Sequence, residues 1–198
     1  GSVSSPGNDP SVITVGSVNS KATAARSDDT VNLFSSRGPT RGKFTTASGE
    51  VKRDNLLKPD LVAPGNMLIG AAATKANATT PTWNAIGTLF YAPLVSATGI
   101  TQTYRETQMY LSGTSVSAPV VSGAAAVLLQ TNPGLTPPMI KAILQYTAQP
   151  IAGANLLQQG AGLLNLPGAV TLAKVLRTDA STAIANGTLV SGGTLLAS

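Results

Sequence analysis

The 198-residue sequence contains no cysteine and no histidine. The first absence removes disulfides, thiolate metal sites and a cysteine nucleophile, but it fixes no compartment, since secreted chains also manage without cysteine. The second removes the side chain that most often serves as a general base near neutral pH. Charged residues are scarce at 11% and aromatics at 4%, whereas 42% of residues are hydrophobic, which excludes a disordered chain and favours a packed globule. No apolar run reaches the length expected of a membrane-spanning helix. The opening Gly1-Ser2-Val3-Ser4-Ser5-Pro6 has neither the basic nor the apolar region of a signal peptide.

What charge there is has a net value of +5. Arg37, Arg41, Lys43, Lys52, Arg53 and Lys58 fall in one stretch between apolar runs. No aromatic platform or nucleic-acid motif accompanies them, so the stretch reads as a solvated loop and neither nucleic acid nor membrane is expected as a partner. Asp28 and Asp29 likewise read as solvated loop carboxylates, and no metal site or cofactor is expected.

Breakers and β-branched runs divide the first part of the chain. Residues 12–18 follow the Pro6-Gly7-Asn8-Asp9-Pro10 turn cluster and read as a buried strand. Residues 32–36 and 60–63 read as two further short strands, with 67–73 as a possible fourth. Residues 74–99, with Trp83, Phe90 and Tyr91 among polar residues, have no sustained period and read as a surface insertion.

Residues 114–130 are apolar or small on every face, which predicts a helix buried all round. Pro119 is tolerated in a first helical turn, so the helix is expected to start near Ser115. A second, amphipathic helix is expected after a Thr136 cap, carrying Met139, Ile140, Ile143, Leu144 and Thr147 on one stripe. A short strand or extended turn over 161–165 and a helix from Pro167 to about Leu176 follow. The Ser/Thr/Gly-rich tail, residues 178–198, is expected to be peripheral or partly disordered. Strands interleaved with helices argue for an α/β fold with a largely parallel sheet.

Leu111-Ser112-Gly113-Thr114-Ser115-Val116-Ser117-Ala118-Pro119 carries the chemistry. A serine in the first turn of a helix sits among unpaired amides at the positive end of the dipole, which favours a neighbouring oxyanion. The same serine could simply cap the helix. The segment resembles the G-T-S signature around the nucleophile of subtilisin-like serine proteases. Three further blocks resemble that family in its own order: the strand of residues 10–18, Phe34-Ser35-Ser36-Arg37-Gly38-Pro39, and Lys58-Pro59-Asp60-Leu61-Val62-Ala63-Pro64-Gly65.

The resemblance implies part of a subtilisin-like parallel sheet with a buried central helix starting at the nucleophile, Ser115. It implies oxyanion donors at Thr114 and Ser115, and substrate contacts at Leu111, Ser112 and Gly113. It covers about Ser2 to Ala173, and residues 1–177 are read as the C-terminal portion of a catalytic domain, with 178–198 as a tail. The family's aspartate block (D-S/T-G) and histidine block (H-G-T) do not occur in the chain. A complete peptidase site is therefore expected only with a missing N-terminal half. The alternatives are a triad-less esterase acting through Ser115 in a homo-oligomer, and an inactive structural or binding domain. Polypeptide or ester substrates and a secreted or extracytoplasmic setting are implied in the same way.

Overall fold

The structure is a computed structural model and describes residues 1–71 and 108–197. Its strands are β1 (Val15–Asn19), β2 (Thr30–Val31), β3 (Lys43–Thr45), β4 (Val51–Arg53), β5 (Leu61–Pro64), β6 (Leu68–Ala71) and β7 (Gln108–Leu111). Its helices are α1 (Thr114–Thr131), α2 (Pro137–Thr147), α3 (Leu156–Gln159), α4 (Leu166–Val175) and α5 (Ala180–Ala185). The segment expected as a surface insertion, with Trp83, Phe90 and Tyr91, lies outside the described residues.

The fold is mixed α/β. β1 pairs in parallel with β5, Val15 opposite Leu61, and antiparallel with β2, Val18 opposite Val31. Strand alternation sends Leu61 and Ala63 to one face, where they meet Val121, Ala124 and Leu128 of α1, Ile140, Ile143 and Leu144 of α2, and Ala169 and Ala173 of α4. Val18 and Val62 point the other way and pack with Ile151 and Leu163. Leu163 adds one more bridge beside Val62, extending the parallel pairing by a single residue.

Three expectations for the strands and loops change. Residues 32–36 form a turn rather than a strand, because Ser17 of β1 captures them. The Ser17 amide donates to Ser35 Oγ (3.0 Å), its carbonyl accepts from the Asn32 amide (2.9 Å), and Asn32 Nδ2 donates to Ser17 Oγ (2.8 Å). The basic stretch forms a hairpin, β3 and β4 in register with Lys43 opposite Arg53. Asp29 is buried: its Oδ2 accepts from Arg26 Nε at 3.1 Å, and its Oδ1 has no partner among the described residues.

Helix α1 buries Ser117, Val121, Ala124 and Leu128 against β1, β5 and α4, while Ala118, Pro119, Ser122, Gly123, Ala126, Val127 and Leu129 stay exposed. An all-apolar helix needs cover on every side, and the described part of this chain covers one stripe. By length and composition, with a mean hydropathy of 1.2 over 18 residues, α1 also meets the requirement for crossing a membrane, contrary to the sequence expectation. Its packed stripe assigns it to the core of the α/β layer.

Asn132 closes α1 at its far end. Its buried Nδ2 lies 3.0 Å from the Ala173 carbonyl and 3.1 Å from that of Leu176, and its Oδ1 accepts from the Gly134 amide, so one side chain ties the end of α1 to the end of α4. Thr136 stands at the N-cap of α2 with its carbonyl accepting from Ile140, although its hydroxyl makes no cap bond. α3 was not expected. Its signal is the reciprocal capping box of Asn155 and Gln158. Past α4 the tail forms α5 and folds back, Leu176 bridging Leu196.

Candidate active site

The turn that opens α1 is held from below by the loop after β5. The Gly113 amide donates to the Gly65 carbonyl at 2.9 Å, and the Met67 amide donates to Ser112 Oγ at 2.9 Å. Gly65 is buried, and a Cβ there would collide with the hydroxyls of Ser117 and Ser17 and with the Gly113 carbonyl, so the close approach requires glycine. Leu111 ends β7, paired with Leu68 of β6. The candidate segment 111–113 is thereby fastened to residues 65–68 at both a strand pairing and a loop contact.

Gly113 is the N-cap of α1 at φ 153°, a backbone angle that residues with a side chain rarely adopt. Its carbonyl accepts from both the Val116 amide (3.0 Å) and the Ser117 amide (3.2 Å). Those bonds consume the third and fourth amides of the helix. The amides of Thr114 and Ser115 have no acceptor among the described residues, leaving two donors at the positive end of an 18-residue helix. Ser115 is exposed, and its hydroxyl also has no partner among the described residues.

The structure thus brings Leu111, Ser112, Gly113, Thr114 and Ser115 together on one strand end and turn. It turns Ser112 Oγ toward Met67. Pro119 falls in the second turn, later than the sequence argument placed it, because Gly113 rather than Ser115 opens the helix. Lacking an N–H, Pro119 withholds the usual donor from the Ser115 carbonyl.

Asp60 belongs to the framework. Its Oδ2 accepts from Lys58 Nζ at 2.8 Å and from the Thr14 amide at 2.7 Å, and its Oδ1 lies 3.0 Å from Lys141 Nζ. Both ammonium groups also donate to the Val12 carbonyl, and Lys141 to that of Pro10. The sequence flagged the Lys58 block but not the part of Lys141, which lies far along the chain. Burial pushes the Lys58 ammonium below the usual lysine range, outweighing the opposite pull of Asp60. Among the described residues no cluster of histidine, cysteine, aspartate or glutamate has the makings of a metal site.

A parallel strand pair packed under a helix that opens at a Gly-Thr-Ser turn is the architecture of subtilisin-like proteases. The structure aligns with that of fervidolysin from Fervidobacterium pennivorans, a keratinolytic enzyme related to subtilisin, with a TM-score of 0.56 and 25% identity, over 84% of this chain and 20% of that one. Residues 1–170 match the model of the Subtilase family (Peptidase_S8), and the chain belongs to that family. It is 32% identical to the serine protease AprX of Bacillus subtilis (strain 168) over 169 residues, covering 85% of this chain and 31% of AprX. It is 34% identical to the subtilisin-like protease SBT2.3 of Arabidopsis thaliana over 121 residues, covering 58% of this chain and 12% of that protease. The chain thus spans less than a third of the length of either curated relative.

Proposed function

We propose that this chain supplies the nucleophile-bearing part of a subtilase peptidase site, with Ser115 as the nucleophile and polypeptide as the substrate. The observation that carries the reading is the exposed Ser115 hydroxyl beside two uncommitted amides, Thr114 and Ser115, at the N-terminus of α1. Ser115 Oγ adds to the scissile carbonyl carbon as its proton leaves to a base, and the carbonyl oxygen takes up the negative charge facing those amides. When the tetrahedral centre collapses, the C–N bond breaks, the departing amine takes the proton and an acyl-serine remains. Water then releases the acyl group by the same route. Since the 198 residues hold no histidine, the base and its orienting carboxylate come from outside them, from an N-terminal portion of the catalytic domain.

In this reading residues 1–177 are a portion of a catalytic domain, 178–198 an appended tail, and Leu111, Ser112 and Gly113 line the substrate path. The setting is extracytoplasmic.

The zero histidine count favours a second reading for the chain by itself, slow turnover of activated esters through Ser115. A fluorophosphonate probe, which forms an Oγ–P bond and expels fluoride, tests the role of Ser115. Peptide mass spectrometry should locate the adduct on Ser115 and find none in Ser115→Ala. An adduct elsewhere, or equal labelling of Ser115→Ala, overturns the assignment.

A further inference from the structure

The β3–β4 hairpin holds an electrostatic conflict that nothing in the described chain relieves. Lys43 and Arg53 stand directly opposite each other on adjacent strands. Like charges in that position destabilise a strand pair. Arg53 Nη1 donates to the Arg41 carbonyl at 3.1 Å, which draws Arg41 to the same end of the hairpin. Among the described residues none of the three has an acidic partner.

The two acids nearby are already engaged. Glu50 pairs with Lys52 at 3.1 Å, and Asp54 accepts from the Thr40 hydroxyl at 2.7 Å, the Gly42 amide at 2.9 Å and Asn8 Nδ2 at 3.3 Å. The Asp54 contacts anchor the base of the hairpin, and the tip is closed by bonds between Thr46, Gly49 and Glu50. The conflict therefore sits on an ordered stalk whose two strands are exposed along their whole length.

We propose that this hairpin is a docking surface for an acidic, extended polypeptide segment. In a hairpin side chains alternate in direction, so Lys43, Thr45, Val51 and Arg53 share one face and Phe44 and Lys52 the other. A segment with carboxylates at alternate positions, lying along the hairpin, places one of them against the Lys43–Arg53 pair and sets its intervening residues on the face of exposed Phe44. The two-stranded sheet leaves an outer edge on each strand for backbone pairing. The carboxylates supply the counter-charge that the cross-strand pair lacks. The surface is independent of Ser115, and its test makes no use of catalysis.

The test is fluorescence anisotropy of a labelled peptide of alternating Glu and Val with the full chain, at low and at moderate salt, alongside a Lys and Val counterpart, a single-stranded DNA of equal charge and phosphatidylserine vesicles. The acidic peptide should bind, with affinity falling as salt rises. The double variant Lys43→Glu/Arg53→Glu should weaken binding at least about tenfold, and Lys21→Glu, a cation outside the hairpin, should change it less than about twofold. Lys43→Gln/Arg53→Gln should fall between wild type and the reversed pair, which keeps the test decisive if charge reversal disturbs folding. Absence of acidic-peptide binding overturns the proposal. So does equal loss with Lys21→Glu, or tighter binding of DNA or vesicles through the same residues.

Discussion

Ser115 lies beside two amides without acceptors among the described residues, and the 198 residues hold no histidine to take its proton; magnitudes decide what that combination can do in the proposed role. A helix N-terminus stabilises nearby negative charge by about 1 kcal/mol, whereas a positioned general base contributes about 10²–10⁴-fold in rate, or about 3–5 kcal/mol. The chain alone should therefore acylate only on esters with good leaving groups. Its rate should keep climbing through the alkaline range, because hydroxide or a high-pKa lysine or tyrosine must remove the proton. Hydrolysis of p-nitrophenyl acetate across that range by wild type and Ser115→Ala checks this. Full activity in Ser115→Ala removes the serine from the reaction.

Lys58 gives a second residue-level expectation. Burial lowers its folded-state pKa below the ordinary value of 10.5, so between the lowered value and 10.5 the unfolded chain holds more protons than the folded one. Stability from this group therefore rises with pH through that window. The melting temperature of wild type should carry this increment, and Lys58→Met should lack it. A Lys58→Met profile with the same slope sets the lysine aside as its source.

Elements show why much of the fold was legible and some was not. The helices α1, α2 and α4 announce themselves by apolar or amphipathic runs, followed by Asn-Pro-Gly, Ala-Gln-Pro and Leu-Arg respectively, and the structure places them within a few residues of expectation. Residues 32–36 misled because their composition suits a strand, while Asn32 and Ser35 instead satisfy Ser17, a partner that no local pattern reveals. The hairpin was hidden by its charge, which reads as a loop until the register of Lys43 with Arg53 is known. The place of Ser115 in the first turn of α1 was legible from its motif. Its foundation, the Gly65 carbonyl under Gly113, required the loop and helix to be seen together.

The same long-range logic makes Asn132 a joint between elements rather than a simple cap. Asn132→Ala strands the Leu176 carbonyl and the Gly134 amide in a buried setting and leaves the Ala173 carbonyl only the 3.4 Å bond from the Leu176 amide, and each lost partner costs about 1–3 kcal/mol. Urea unfolding should show a loss of roughly 2–4 kcal/mol without a change in slope. A loss below about 0.5 kcal/mol, the range of ordinary surface substitutions, would mean that α1 and α4 are joined by apolar packing alone.

For the molecule as a whole, the outstanding physical fact is the second face of α1. Core packing occupies the stripe of Ser117, Val121, Ala124 and Leu128, and the exposed remainder includes Ala118, Pro119, Ala126, Val127 and Leu129 with no charged side chain among the helix's 18 residues. A soluble helix ordinarily sets polar residues on its outer side, and contiguous apolar surface mediates association when water is its alternative. The chain on its own should therefore self-associate at micromolar concentration until that face is covered, whether by another copy or by the catalytic-domain portion proposed above. Sedimentation or light scattering should report species larger than the 19.9 kDa chain. Replacing Val127 and Leu129 with glutamine, on the open side and away from the Gly113 to Ser115 turn, should shift the distribution toward monomer while preserving helix content. A wild-type chain that is monomeric and melts cooperatively would show that the outer face of α1 tolerates water, and the association argument would fail with it.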